Sequence, residues 1–160
     1  MLNLASAGAN EIYFESDNIN ISDNGNIIET SKGTAKSIKG GINITANQFN
    51  YNKSLSVLKA NDNATAKFID KDMIINANNF IYNENLSTLE AIGNVIIKDS
   101  IKKTTIKTNN IFYNIEKQEI NSKSESIIID KFENTFLTKN FIFFLNDNLI
   151  KLNQATITDI

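Results

Sequence analysis

Apolar and polar residues alternate along short segments of the chain, as they do in β-strands that bury one face. In segment 42–46, Ile42, Ile44 and Ala46 fall on one side of such a strand, and segment 73–77 repeats the pattern. After the alanine the alternation shifts by one residue, so that Phe49 and Tyr51 continue the apolar face. A β-bulge or a corner produces a shift of this kind. The pattern therefore predicts bent strands that keep their apolar face inward.

The same pattern recurs five times along the chain. Related segments begin at Ser16, Ala46, Ala77, Thr108 and Thr138, and the starting positions are evenly spaced to within one position. A second apolar block, at residues 28–30, 58–60, 89–91, 120–122 and 150–152, keeps the same register. Two blocks in one register across five copies indicate an elongated stack, in which each repeat buries its apolar face against its neighbours.

Polar turns led by asparagine separate the apolar runs of each repeat. Asn52-Lys-Ser-Leu55 and Asn83-Glu-Asn-Leu86 are of this type, and they predict hairpins. Asparagine and β-branched residues are frequent, and no long stretch has the spacing of an amphipathic helix. We therefore predict an all-β fold whose first and last strands are open edges that could pair with another chain.

Composition narrows the functional classes. The 160 residues suit one domain, and the net charge of -2, without any arginine, lacks the clustered basic face that nucleic acid requires. Without histidine and cysteine, the usual zinc sites and the Ser/His or Cys/His nucleophiles are excluded. Asp70-Lys-Asp72 and Asp23-Asn-Gly25 resemble calcium ligands only superficially, because neither has the spacing of a calcium loop. We expect a protein that is not an enzyme, with no metal and no cofactor.

The first ten residues form a segment of their own. Ala5-x-Ala7 and Ala7-x-Ala9 have the spacing of a signal-peptidase site, but the charged and apolar regions of a signal peptide are missing. Residues 1–10 are therefore either the remnant of an export signal or a disordered tail, and residues 11–160 form the repeat domain. No stretch approaches the 18 or more apolar residues of a membrane helix.

The third repeat carries the most specific motif. Ile75-x-Ala77 is followed by Tyr82-Asn83 and then by Ala91-x-Gly93-Asn94-Val95-x-Ile97, and this string resembles the OstA-like repeat of lipopolysaccharide-transport proteins. The resemblance spans residues from about 11 to 158. The second repeat has Asp62 where the motif has glycine, and the fourth has lost the Gly-Asn pair.

Segment 126–136 bears on which member of the family the chain is most like. With Glu133 in place of a glycine, it resembles the N-terminal periplasmic domain of the outer-membrane lipopolysaccharide-assembly protein (LptD type). The free periplasmic bridge protein of the same family is the alternative. The resemblance implies a periplasmic module, associated with the outer membrane in the full-length protein. Its partners would be lipopolysaccharide, other OstA-like modules, and a C-terminal outer-membrane barrel with its plug lipoprotein.

The resemblance also implies a fold and a site. The fold would be an elongated, folded-over antiparallel β-jellyroll (β-taco), whose modules join end to end through edge strands. Acyl chains of lipopolysaccharide would slide in an apolar groove, which on our strand assignment is lined by Phe14, Ile19, Ile21, Ile44, Phe49, Tyr51, Leu58, Phe68, Ile75, Phe80, Tyr82, Leu89, Val95, Ile97, Ile106, Ile111, Tyr113, Phe141 and Phe143.

Each of these assignments has a simpler alternative. A stripe of Ile, Phe and Tyr at strand spacing is usually just core. Lys102-Lys103, with Lys98 and Lys107 nearby, could meet anionic sugar phosphates at the rim of a groove, or could be a solvated hairpin tip. The alternative function is a structural β-solenoid, an adhesin or scaffold with a filled core and no lipid cargo.

Overall fold

A computed structural model describes residues 12–158, which form a single antiparallel sheet with one short 3₁₀ turn at Asp23–Gly25. The predicted all-β fold is confirmed. The strands are β1 (Ile12–Ser16), β2 (Ile19–Ser22), β3 (Ile27–Thr30), β4 (Gly33–Ser37), β5 (Ile42–Ala46), β6 (Gln48–Asn52), β7 (Val57–Phe68), β8 (Met73–Asn83), β9 (Thr88–Asp99), β10 (Thr104–Asn114), β11 (Glu119–Ser122), β12 (Ser126–Ile129), β13 (Thr135–Thr138), β14 (Asn140–Phe144), β15 (Leu149–Asn153) and β16 (Thr156–Thr158).

The pairing divides this sheet into two half-sheets joined by the four long strands β7 to β10. The first half-sheet runs β2, β3, β6, then one half of each long strand, then β11, β14 and β15. The second half-sheet runs β1, β4, β5, then the other half of each long strand, then β12, β13 and β16. Each repeat contributes strands to both half-sheets, and the two apolar blocks of a repeat are successive strands of the first half-sheet.

The half-sheets meet at a crease formed by bulges in the long strands. The register shifts between Asn76 and Asn79 in β8, where the burial pattern passes from Ala77 to Phe80, and this confirms the predicted parity shift. Opposite lies Gly93, with φ of +80°, and a Cβ added there would collide with the Asn78 amide. The Gly-Asn pair of the third repeat is thus a bend in the backbone.

Asparagine side chains build the turns at the far ends of the first half-sheet. The Oδ1 atoms of Asn52, Asn83 and Asn114 accept the backbone N–H three residues later, at 3.0, 3.0 and 2.9 Å. These bonds close the hairpins predicted at Asn52 and Asn83. In the second half-sheet Asp130 has the same role, since its Oδ1 accepts the N–H groups of Phe132 and Asn134 at 2.8 and 2.9 Å.

The turns define two rims on the side opposite the crease. The first rim comprises the turns of the first half-sheet, at residues 23–26, 53–56, 84–87, 115–118 and 145–148. The second rim comprises those of the second half-sheet, at residues 38–41, 69–72, 100–103 and 130–134.

The half-sheets face each other and bury the core between them. The Phe14 ring of β1 lies 5.9 Å from Phe49 and 6.0 Å from Tyr51, which belong to the other half-sheet. Further along, the Phe68 and Tyr113 rings meet across the core at 5.2 Å. Ten stacked strand segments at about 4.8 Å span roughly 43 Å, whereas five residues of strand span about 17 Å. The described chain is therefore an elongated, folded-over jellyroll, as the resemblance implied.

Both ends of the stack are open. Within residues 12–158, β1 and β2 at one end and β15 and β16 at the other pair on one side only. The predicted open edge strands are confirmed. The tail assigned to residues 1–10 lies outside the described residues. Within the described range, no helix has the length and apolar character needed to cross a membrane.

Candidate functional site

The predicted groove residues come together in one core between the half-sheets. Seventeen of the nineteen are buried, each 4% exposed or less. Ile19 is partly buried, and Ile21 is 51% exposed. Because the side chains of the two half-sheets fill this interior, the residues pack as a core in the closed structure. That they line a groove stays a prediction.

Ile19 and Ile21 differ from the others because they lie on an edge strand. They are paired with Thr30 and the buried Ile28, and directly paired residues of antiparallel strands point to the same face. Both isoleucines therefore face inward, and no strand of the described part of the chain lies on their outer side. At the other end, Ile157 pairs with Phe136, which packs on the core, and is itself 61% exposed. The apolar inner face thus extends to both ends of the stack.

Several core residues are absent from the predicted lining. Three of them extend apolar runs that the lining includes, since Ile12, Ile42 and Met73 precede Phe14, Ile44 and Ile75 by two positions. Extending these runs by one period would have identified them. Two further buried residues, Ile28 and Ile120, belong to the second apolar block of their repeats, and Ile128 is buried in β12.

The polar contacts that join the two rims were not predicted from the sequence either. The first of these joins β4 to the turn after β8. The Ser37 hydroxyl donates to Glu84 Oε1 at 2.9 Å and lies 3.1 Å from the Tyr82 hydroxyl. Glu84 is fully buried, and among the described residues its Oε2 has no hydrogen-bond partner. Gly40 allows the close approach, since a Cβ there would collide with the Tyr82 hydroxyl.

The second contact lies one repeat further on. The Lys71 ammonium on the second rim donates to Gln118 Oε1 and to the Tyr113 hydroxyl, the latter at 3.3 Å. The Tyr113 hydroxyl itself donates to Gln118 Oε1 at 3.3 Å. Lys71 stands one repeat after Gly40, and Tyr113 stands one repeat after Tyr82. The same structural positions therefore meet, with different side-chain chemistry.

The third contact repeats this arrangement once more. The Lys102 ammonium donates to the Leu145 carbonyl at 2.5 Å and lies 4.9 Å from the centroid of the Phe143 ring. The sequence left two interpretations of Lys102 open, a contact with sugar phosphates or a solvated hairpin tip, and its side chain is only 20% exposed. One signal could have found all three contacts: an aromatic residue recurs once per repeat at this position, as Tyr82, Tyr113 and Phe143.

Different kinds of contact join the turns within a rim and the two rims to each other. Along the first rim, backbone hydrogen bonds join successive turns, from Glu84 N–H to Ser56 O at 3.0 Å and from Ile115 N–H to Ser87 O at 2.9 Å. In the described residues, no backbone–backbone bond runs from one rim to the other. The closure across the mouth depends on side chains of Ser37, Lys71, Lys102 and their partners, so it can open without breaking the sheet.

Burial of the tyrosines at the mouth changes their acidity. Burial raises the pKa of Tyr51 to about 12, and Glu84 adds to this effect. Burial also raises the pKa of Tyr82 and of Tyr113, against the smaller opposing effect of their hydrogen bonds with Ser37 and Gln118. The neutral phenol is therefore the form that the folded state favours.

We expect the free energy of unfolding to fall as the pH rises above about 10. The folded state keeps protons that the unfolded chain, with a tyrosine pKa near 10.0, has already lost. Each such tyrosine should contribute a loss of about 1.4 kcal/mol per pH unit until its folded-state pKa is reached. Urea unfolding at pH 8 to 12 measures this slope, which should become shallower in Tyr51→Phe. An unchanged slope in that variant would contradict the assignment.

Comparisons with known proteins show a distant likeness to a solved structure. No protein-family model matches the chain, and no curated protein is similar to it in sequence. Among solved structures, it aligns with LptH of Pseudomonas aeruginosa, described as the LptA-homologous periplasmic component of the lipopolysaccharide transport device. The alignment covers 98% of this chain and 99% of LptH, with a TM-score of 0.39 and 10% identity.

Proposed function

We propose that this chain is a non-catalytic periplasmic module that carries lipopolysaccharide toward the outer membrane. It shields the acyl chains between its two half-sheets and joins other modules end to end through its edge strands. The more specific assignment, to the periplasmic domain of an LptD-type protein that continues into a barrel with a plug lipoprotein, is inferred from segment 126–136. In the structure, however, Asp130 and Asn134 of that segment close a turn, which accounts for part of the motif without any partner.

One observation carries the proposal: a continuous apolar interior that is covered along its open side by side chains alone. The inner residues of all five repeats form one core, and within residues 12–158 the rims that close it are linked by side-chain contacts such as those of Ser37 and Lys71, without a backbone–backbone hydrogen bond between them. A hinge at the crease would part the half-sheets without exposing backbone hydrogen-bonding groups. The interior therefore becomes accessible when the contacts across the mouth break and the parted apolar faces are covered by the lipid instead of by each other.

The energies are compatible with loading. Each methylene that leaves water gains roughly 0.8 kcal/mol, so an acyl chain of about a dozen carbons gains on the order of 10 kcal/mol. The hydrogen bonds across the mouth contribute about 0.5–1.5 kcal/mol each. Acyl chains would cover the apolar faces that separate when the mouth opens, and their contacts are non-directional, so that bound lipid could still slide.

The ends of the stack support the joining of modules. Ile21 and Ile157 are exposed on edge strands, although their register directs them toward the interior. A strand from another module would satisfy the free N–H and C=O groups of β2 or β16 and cover these side chains. The apolar interior of one module would then continue into the next.

Photo-crosslinking tests the cargo. With benzoyl-phenylalanine in place of Phe80, which is fully buried, we expect crosslinks to lipopolysaccharide. The matched control carries the probe in place of Lys98, which points to solvent from the neighbouring strand β9. Crosslinks from position 98 alone, or from neither position, would argue against an internal lipid path.

A second function is favoured by the same interior. The core is filled by its own side chains in the closed structure, which is also what a scaffold or adhesin without cargo requires. Mass spectrometry of lipid extracted from the purified protein separates the two functions. Stoichiometric lipopolysaccharide supports transport, whereas its absence together with filament formation supports the scaffold.

A further inference from the structure

A small cavity opens between the two rims near the middle of the stack. Its volume is about 270 Å³, and Lys71, Lys102, Asp70, Asp99 and Gln118 contribute to its lining. That volume corresponds to about nine waters at roughly 30 Å³ each. It lies just under the range of about 300–1,000 Å³ that is usual for drug-sized ligands. The cavity therefore suits one small polar group.

Both ammonium groups at this cavity are held by neutral acceptors. Lys71 donates to the Gln118 amide oxygen and the Tyr113 hydroxyl, and Lys102 donates to the Leu145 carbonyl. No carboxylate of the described residues lies within ion-pair distance of Lys71, and the Asp99 carboxylate forms a long ion pair of 4.0 Å with Lys102. An anion would add an attraction between opposite charges that the neutral acceptors lack, and would therefore compete with them for both ammonium groups.

The two lysines are also close enough to affect each other. Burial lowers the pKa of Lys71, and the charge of Lys102 acts in the same direction, whereas Asp70 opposes it. Two half-buried cations that repel each other gain most from a group bearing more than one negative charge. A phosphate monoester, with three acceptor oxygens and a charge near -2, is such a group.

The two carboxylates of the cavity can bind a part of the ligand other than its phosphate. Asp99 Oδ1 accepts the backbone N–H of Lys102 at 2.9 Å, and Asp99 Oδ2, which lies 4.0 Å from the Lys102 ammonium, can accept a further hydrogen bond. Asp70 is exposed at the cavity edge. Carboxylates are acceptors for hydroxyl groups. A ligand here would thus carry hydroxyl groups next to its phosphate.

We infer that this cavity is a binding site for a sugar phosphate, in which Lys71 and Lys102 hold the phosphate and Asp70 and Asp99 accept from sugar hydroxyls. The site lies at the mouth, where the head group of a loaded lipid would emerge. That the sugar phosphate belongs to such a lipid rests on the proposed function. Binding would withdraw both lysines from Gln118 and Leu145, and so would release two of the three contacts between the rims.

The test compares free and lipid-borne ligands on the whole chain. The free probes are glucosamine 1-phosphate, inorganic phosphate and uncharged N-acetylglucosamine. The lipid probes are phosphorylated lipid A and its dephosphorylated form, both in micelles. Binding is followed by the ¹³C shifts of labelled lysine side chains and by calorimetry.

A double variant, Lys71→Gln with Lys102→Gln, removes both cations. Its matched control is Lys98→Gln with Lys107→Gln, which makes the same charge change at two exposed outer positions. We expect the first double variant to bind glucosamine 1-phosphate or phosphorylated lipid A about tenfold more weakly or worse, and the control to match the wild type. Urea unfolding of both double variants checks that the fold is retained.

The outcomes separate this site from the lipid path. If the Lys71/Lys102 double variant loses binding of phosphorylated lipid A alone, the ligand is a lipid head group. If it also loses binding of glucosamine 1-phosphate, both ligands use the same site. Equal affinity for inorganic phosphate and glucosamine 1-phosphate would overturn the role of the two aspartates. Equal binding of both lipid A forms by all variants would overturn the site but leave the lipid path intact. Binding of glucosamine 1-phosphate without any binding of lipid A would leave the site and overturn the proposed cargo.

Discussion

Phe80→Ala should lower the free energy of unfolding by about 3–5 kcal/mol, the range for a fully buried phenylalanine. Phe80 lies in the middle of β8 with none of its side chain exposed. On both neighbouring strands it faces an alanine, Ala60 on β7 and Ala91 on β9. Neither alanine can extend into the space that the ring leaves, so the cavity would collapse little and the loss should fall in the upper part of that range.

Phe112→Ala is the matched control for this change. Phe112 lies on β10 and is 37% exposed on the outer face of the first half-sheet. Its loss should lower stability by no more than about 1 kcal/mol, since it leaves no enclosed cavity. Urea unfolding measures both variants. Equal losses would mean that the interior is not packed as described, and that the half-sheets are already apart in solution.

Joining the rims covalently should abolish lipid loading while preserving the fold. The Ser37 hydroxyl and the Glu84 carboxylate meet at 2.9 Å across the mouth, so cysteines at these positions can be bridged by a short bifunctional thiol reagent. The chain has no cysteine of its own, so that labelling is confined to the introduced pair. Because a bridged mouth cannot part, lipopolysaccharide crosslinking from position 80 should drop about tenfold or more.

Two controls accompany the bridged variant. The same pair without the reagent should load lipid normally. A pair on the first rim, Ser56→Cys with Asn85→Cys, joins turns that a backbone hydrogen bond of 3.0 Å between Ser56 and Glu84 already links, and bridging it should change nothing. Undiminished loading in the bridged Ser37/Glu84 variant would show that lipid does not enter through the mouth. Entry through the ends of the stack would then be the alternative.

The motif that suggested a family also has a local structural cause. Gly93 and Asn94 both adopt positive φ, at the point where β9 crosses the crease, and Asp62 and Asn63 take the same conformation in the second repeat. Glycine, asparagine and aspartate are the residues that tolerate this conformation best. The Ala-x-Gly-Asn-Val string therefore marks the crease, and any role in transport would follow from the bend that it makes.

The sequence by itself determined the strands, the turns and the repeat. Each depends on neighbours in the chain: the alternation of Ile42, Ile44 and Ala46, the turn that Asn83 closes three residues later, and the shift between Ala77 and Phe80. Periodicity of this kind is local, and a side chain at strand spacing has only two faces to choose between.

Only the tertiary structure decided how the mouth is closed. Ser37 and Glu84 are 47 residues apart, as are Lys71 and Gln118, because the two rims meet about one and a half repeats out of step. Sheet twist and the angle at the crease set that offset, and no local pattern encodes either. For the same reason the sequence predicted inward faces at Ile21 and Phe80 equally, whereas only the folded chain leaves one at an open edge and encloses the other.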